Sequence, residues 1–169
     1  MSNMRDVRIE KVVVNIGVGA AGEKLVKAQK VLELVTGRKS VQTLSKHTIR
    51  DWAIRVNMPI GAKVTIRGEE AVEFVRKALV IKNNSLPEYC FDLQGNFSFG
   101  ITDYTEFQGM KYDPEIGVVG MDVCVTLGRA GYRIMKRHIA TRRVSTRHRV
   151  TKDDGLAFAK TTFSLEVIG

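Results

Sequence analysis

The chain has 169 residues, 44% of them hydrophobic, and carries a formal net charge of +9 with a pI of about 9.8. That length suits a single 1–169 domain with a real core, and the charge points to an anionic partner, nucleic acid ahead of membrane. No apolar run approaches the roughly 20 residues of a membrane span, and two cysteines make neither a disulfide framework nor a zinc pattern.

The elements follow from periodicity. Arg8–Ile16 reads as a strand, with Val12, Val14 and Ile16 on one face and Lys11, Val13 and Asn15 on the other. Gly17–Gly22 is a glycine-rich turn. Glu23–Thr36 has Leu25, Ala28, Leu32 and Val35 at helical spacing, with Gly37 placed as its C-terminal cap. Val41–Thr48 reads as a strand and Ile49–Gly61 as a long loop. Ala62–Arg67 is a strand that sets Ala62, Val64 and Ile66 against Lys63, Thr65 and Arg67. Glu69–Ile81 is a helix with acids in its first turn, where they suit the dipole. Asn96–Ile101 and Gly120–Leu127 alternate as strands on either side of a long connection, Asp103–Val119. Thr151–Asp154 has capping-box spacing and opens a helix through about Lys160, and Phe163, Leu165 and Val167 alternate as a last strand. Strands with one apolar and one polar face predict an α+β fold: an antiparallel or mixed sheet, helices on one face, the other face open.

Charge is segregated along the chain. Residues 129–152 hold nine Lys/Arg and no Asp/Glu, and the remaining residues sum to zero. Residues 37–67, which include Arg38 and Lys46, hold seven basic residues against Asp51 alone. Residues 68–128 hold four basic and ten acidic residues. One part of such a molecule faces phosphate and another faces water or a different partner. The open strand face, with Lys11, Asn15, Lys63, Thr65 and Arg67, reads as an RNA platform or as an ordinary solvated face.

Gly17-x-Gly19-x-x-Gly22 has the spacing of a dinucleotide fingerprint between a strand and a helix. Three features oppose that reading. No acid stands where the ribose is held, since those residues are Arg38 to Gln42. The next two strands have no crossover helix between them, and the chain is short for a nucleotide domain plus a substrate domain. The glycines read instead as a tight turn whose N–H groups can meet an RNA phosphate. His47, His138 and His148 have no carboxylate neighbour in sequence to orient them, so no catalytic constellation emerges. In the 49–61 loop, Trp52 stands between Arg50 and Arg55. It either stacks on a base or ribose while the arginines hold phosphates, or folds back onto the domain. Arg142, Arg143, Arg147, Arg149 and Lys152 repel one another unless an anion is present, which favours RNA phosphate contacts over a solvated face. Met1–Arg8 is polar and of mixed charge, unlike a secretory leader, so the expected compartment is the reducing cytoplasm.

Five stretches together resemble a known family: Arg8–Gly19, Thr36–Lys39, Met58–Gly68, Phe91–Gly100 and Gly120–Leu127. The chain is similar to the 5S-rRNA-binding ribosomal protein number five family of the large subunit, in its archaeal form, and the basic stretch after Leu127 resembles the longer C-terminal part of archaeal members. The resemblance implies a curved sheet backed by helices and a structural role without reaction or cofactor. It implies binding of 5S rRNA by the open face, with Asn15 and Thr65 as contacts by motif match. Lys11, Lys63 and Arg67 join them by strand alternation. Arg38 stands where members often have Gln, and Ser40 where many have Pro. The family's long loop reaches the elbow of P-site tRNA, which implies that role for Ile49–Gly61 and its Trp52. Large-subunit rRNA, P-site tRNA and neighbouring ribosomal proteins are the further partners so implied, with the ribosome as the location.

Overall fold

The computed structural model describes residues 3–168. Met1, Ser2 and Gly169 lie outside it, and with them the ends of the expected 1–169 domain and the start of the polar Met1–Arg8 segment. The elements run β1 (Val7–Gly17), α1 (Glu23–Thr36), β2 (Val41–Leu44), β3 (Pro59–Ile66), α2 (Glu69–Ile81), β4 (Ser85–Pro87), β5 (Phe97–Ile101), β6 (Met121–Arg129), α3 (Arg133–Lys136), α4 (Lys152–Phe163) and β7 (Glu166–Ile168). The class is α+β, as the alternation requires. A mostly antiparallel five-stranded sheet has the order β2-β3-β1-β6-β5, and β4 and β7 pair in parallel as a separate ribbon. The chain forms two compact units, one of residues 13–66 and 100–123, the other of residues up to 12, 67–99 and from 124 onward.

In the first unit, Val14, Ile16, Ala62, Val64 and Ile66 are buried while Lys63 and Thr65 are exposed, so the period of two holds. Helix α1 packs against β3 and buries Leu25, Ala28, Val31 and Leu32; Val35 is only half-buried. Gly37 ends the helix in the left-handed region at φ 65°, its N–H donating to the Glu33 carbonyl at 2.9 Å. The expected strand Val41–Thr48 stops at Leu44. Ser45 turns away because its hydroxyl donates to the His47 carbonyl at 2.8 Å, while its N–H reaches the Met58 carbonyl at 2.9 Å. The expected loop 49–61 ends early for the matching reason. Pro59 opens β3 opposite Leu44, at a strand start, where a missing N–H is tolerated, and Gly61 lies opposite Thr43. A Cβ on Gly61 would stand 2.7 Å from the Ile16 carbonyl oxygen and 2.9 Å from the Thr43 hydroxyl, so only glycine fits.

In the second unit, α2 buries Ala71, Phe74, Val75, Ala78 and Leu79. Thr151 and Asp154 form the expected capping box of α4. That helix runs on to Phe163, which is therefore no strand residue; Ser164 then takes a left-handed conformation at φ 51° and β7 starts at Glu166. The expected strand around Phe163 fails because β7 pairs with β4, a three-residue strand too short to show alternation in sequence. Gly155, inside α4, lies against the turn at Gly95: a Cβ there would be 2.4 Å from the Gly95 carbonyl oxygen.

An ordinary helix gains about 1 kcal/mol when glycine becomes alanine. Here the sign should reverse, and Gly155→Ala should destabilise the protein by about 1–3 kcal/mol through overpacking. Urea denaturation measures it, and an unchanged or raised midpoint would show that α4 shifts freely.

Candidate nucleic-acid interface

Among the described residues, exposed cations gather on both units. On the first, Arg38, Lys63 and Thr65 come together with Lys39, Val41 and Val64 around a groove of about 440 Å³. Strand register makes this groove: Val41 is paired with Lys63, which brings the turn after α1 beside the outward residues of β3. Sequence reasoning misses Lys39, although it stands beside Arg38 in the basic 37–67 stretch. Asn15 is half-buried on the outward side of β1, the sheet neighbour of β3. Lys46 is exposed in the loop beyond β2 and does not line the groove. On the other unit, Lys11 is half-buried, and Arg67 is exposed with its guanidinium donating to the Glu10 carbonyl at 3.4 Å.

The glycine-rich turn commits two of its N–H groups within the protein. The N–H groups of Val18 and Gly19 both donate to the Ile60 carbonyl, at 3.0 and 2.8 Å, and are not offered to a ligand. Gly19 and Gly22 have positive φ, which accounts for glycine at both places.

The loop between β2 and β3 is a small structure of its own. Ile49 and Ile54 exchange hydrogen bonds of 2.9 and 3.0 Å, and Ile54 is buried. This closes a tip of Arg50, Asp51, Trp52 and Ala53, with Ala53 at φ 53°. Trp52 is 70% exposed, so it does not fold back onto the protein. Arg50 and Arg55 are exposed as well.

The basic 129–152 stretch is ordered by contacts within its own unit. Arg129 is the clamp: its side chain is 12% exposed, pairs with Asp154 at 3.0 Å and donates to the Arg149 carbonyl at 3.2 Å. Tyr132 joins the two ends of the stretch, its hydroxyl accepting from the Val150 N–H at 2.8 Å and donating to the His148 carbonyl at 3.4 Å. His148 meets the Ala130 carbonyl at 2.8 Å, which gives this histidine a structural partner. The charges are also less bare than the sequence suggests. Lys136 pairs with Glu10, and Lys152 pairs with Glu88 at 2.6 Å, a contact that holds the Glu88 carboxyl below its usual range. Sequence separation hides those partners. Arg142, Arg143, Arg147 and Arg149 remain exposed.

Among the described residues no three metal-ligating side chains gather, and no helix is long and apolar enough to cross a membrane. Burial pushes the Cys90 thiol up, against the opposing pull of Lys82, which makes it a poor nucleophile.

Comparison with known proteins gives the family. Residues 2–55 match the family described as Ribosomal protein L5, and residues 59–158 match the model that describes the C-terminus of the same ribosomal family. The chain belongs to the ribosomal protein L5 family. It is 51% identical over 169 residues to a protein of Thermoplasma volcanium named Large ribosomal subunit protein uL5, covering 99% of both chains. It is 49% identical to the protein of that name from Thermoplasma acidophilum, again over 99% of both chains, and 46% identical to that of Methanococcoides burtonii over 99% of both. L5 proteins are structural, and the chain is not an enzyme.

The clamp and the loop tip can each be tested by stability. Burial raises the Asp154 carboxyl, but hydrogen bonds from the Thr151 N–H and hydroxyl and the charge of Arg129 outweigh it and hold the group below its ordinary value. Its contribution to stability is therefore complete above the ordinary carboxylate value and disappears as pH falls through the lowered one. Thermal melts of the wild type and Asp154→Asn should differ at neutral pH and converge in acid; a constant gap would show that the ionised carboxylate is not what stabilises. Trp52→Ala should change stability by less than about 0.5 kcal/mol, because so exposed a side chain contributes little to packing. A larger loss in urea denaturation would mean the ring packs on the loop.

Proposed function

We propose that this L5-family protein is a structural constituent of the large ribosomal subunit in the cytoplasm, where it binds 5S rRNA and helps attach it to the large-subunit rRNA of the central protuberance. The observation that carries this reading is the groove of Arg38, Lys39, Lys63 and Thr65, with Asn15 on the neighbouring strand β1. It joins cations that suit phosphates to short polar side chains that suit sugar and base edges. Lys46, and on the other unit Lys11 and Arg67, would each add an RNA contact of their own. Arg142, Arg143, Arg147 and Arg149 would bind large-subunit rRNA from a stretch already held in shape by Arg129 and Tyr132. The exposed tip with Arg50 and Trp52, followed by Arg55, would touch P-site tRNA, the ring supplying a stacking surface. Neighbouring ribosomal proteins are expected on the acid-rich 68–128 stretch.

Filter binding with 5S rRNA tests the groove. Asn15→Ala combined with Thr65→Ala should weaken binding about tenfold, the loss of one or two hydrogen bonds, with an unchanged melting temperature. Unchanged affinity would exclude the open face as the site. Replacing Arg142, Arg143, Arg147 and Arg149 by Gln should flatten the salt dependence of binding to large-subunit rRNA. An unaltered slope would make that stretch a solvated face.

A further inference from the structure

The second unit holds a pair of adjoining cavities of whose lining the RNA contacts proposed so far use Arg149 alone. The first, of about 550 Å³, is lined by Arg8, Arg133, Lys136 and Arg137, with His138 beside them and Glu10 as the one carboxylate. Arg129 also lines it, and the Arg129 Nε is buried with no hydrogen-bond partner among the described residues. The second cavity, of about 660 Å³, has apolar walls of Leu93, Leu127, Met135 and Val150, with the Gln94 amide and Arg149 at its border. Both volumes fall in the range of about 300–1,000 Å³ usual for small-molecule sites. Glu10, Tyr132 and Lys136 line both, so the Glu10–Lys136 ion pair stands on the shared wall. Tyr132 is a firm part of that wall, since its hydroxyl is committed to Val150 and His148.

We infer that these cavities receive one unstacked nucleotide of a bound RNA, its phosphate in the Arg8–Arg133–Arg137 cavity and its base against Leu93 and Met135. Charge selects the first half: Glu10 is already matched by Lys136, which leaves several guanidinium groups around one space, and phosphate is the anion they suit. Exposure selects the second. Leu93 is 85% exposed and Met135 40% exposed, and neither has a use against a continuous phosphate backbone. The face of a base splayed from its helix is apolar, while its edge carries donors and acceptors within reach of an amide such as Gln94. Sequence alone does not show this site, because Arg8 and Leu93 reach the basic stretch only through the fold.

The inference rests on the RNA-binding reading, and the test separates the two. The full chain is titrated with a short RNA duplex and with four variants of it that carry a single bulged A, C, G or U. The wild type should prefer at least one bulged duplex over the continuous one by about fivefold or more. Leu93→Ser with Met135→Ser should reduce that ratio to unity; Leu93→Ser alone, at the more exposed site, should reduce it in part. Arg133→Gln with Arg137→Gln should flatten the salt dependence for every duplex. Asn15→Ala with Thr65→Ala, on the other unit, should leave the bulge preference in place. Equal binding of all five RNAs by the wild type would overturn the inference, as would a preference that survives the Leu93 and Met135 changes. No binding to any of them at low salt would overturn the RNA reading and this inference together.

Discussion

Everything else in this protein depends on the period of two in its strands. Val12, Val14 and Ile16 of β1 and Ala62, Val64 and Ile66 of β3 are removed from water, each larger side chain contributing about 1.5–3 kcal/mol. A slip of one residue would bring Lys11, Asn15, Lys63 and Thr65 into the core and expose that apolar set. The strands are therefore locked by the face that is turned away from solvent. The polar face is freer to be chosen for chemistry, because its residues are less buried than that apolar set. Gly61 enforces the same register from the backbone side, since no side chain fits between Ile16 and Thr43.

A different solution holds the basic stretch. Nine cations within residues 129–152 repel one another, and of the apolar residues in the stretch only Val144 and Val150 are buried to oppose that repulsion. The fold anchors it through Arg129, half-buried between Asp154 and the Arg149 carbonyl, and through the Tyr132 hydroxyl and the buried Val144 and Val150. Glu10 and Glu88 neutralise Lys136 and Lys152 from distant parts of the chain. The cations left exposed are thus presented on a shaped surface rather than on a loose tail. A preformed surface of this kind loses less conformational entropy when it binds.

Much of this is legible in the residues. The bounds of α1 and α2, the inward sets of β1, β3, β5 and β6, the Gly37 cap and the Thr151–Asp154 capping box are local patterns, and local patterns survive folding. The misreadings have separate causes. Val41–Thr48 looks like one strand, but Ser45 commits its hydroxyl to the His47 carbonyl and bends the chain. Phe163 fits an alternating run, but it also continues the α4 helix, where it is buried. The strand β4 has three residues and exists only because β7 lies beside it.

By itself the sequence determined which residues can be inside and which outside, because burial of apolar side chains at a fixed backbone period needs no knowledge of distant partners. It also determined that the excess positive charge belongs to one stretch. Tertiary structure alone decided which cations are neutralised, that Trp52 stands exposed at a loop tip, and that Arg38 and Lys39 share a groove with Lys63 and Thr65. Those outcomes depend on which strands become neighbours and in what register. That pairing is a property of the whole chain, and no local window of residues contains it.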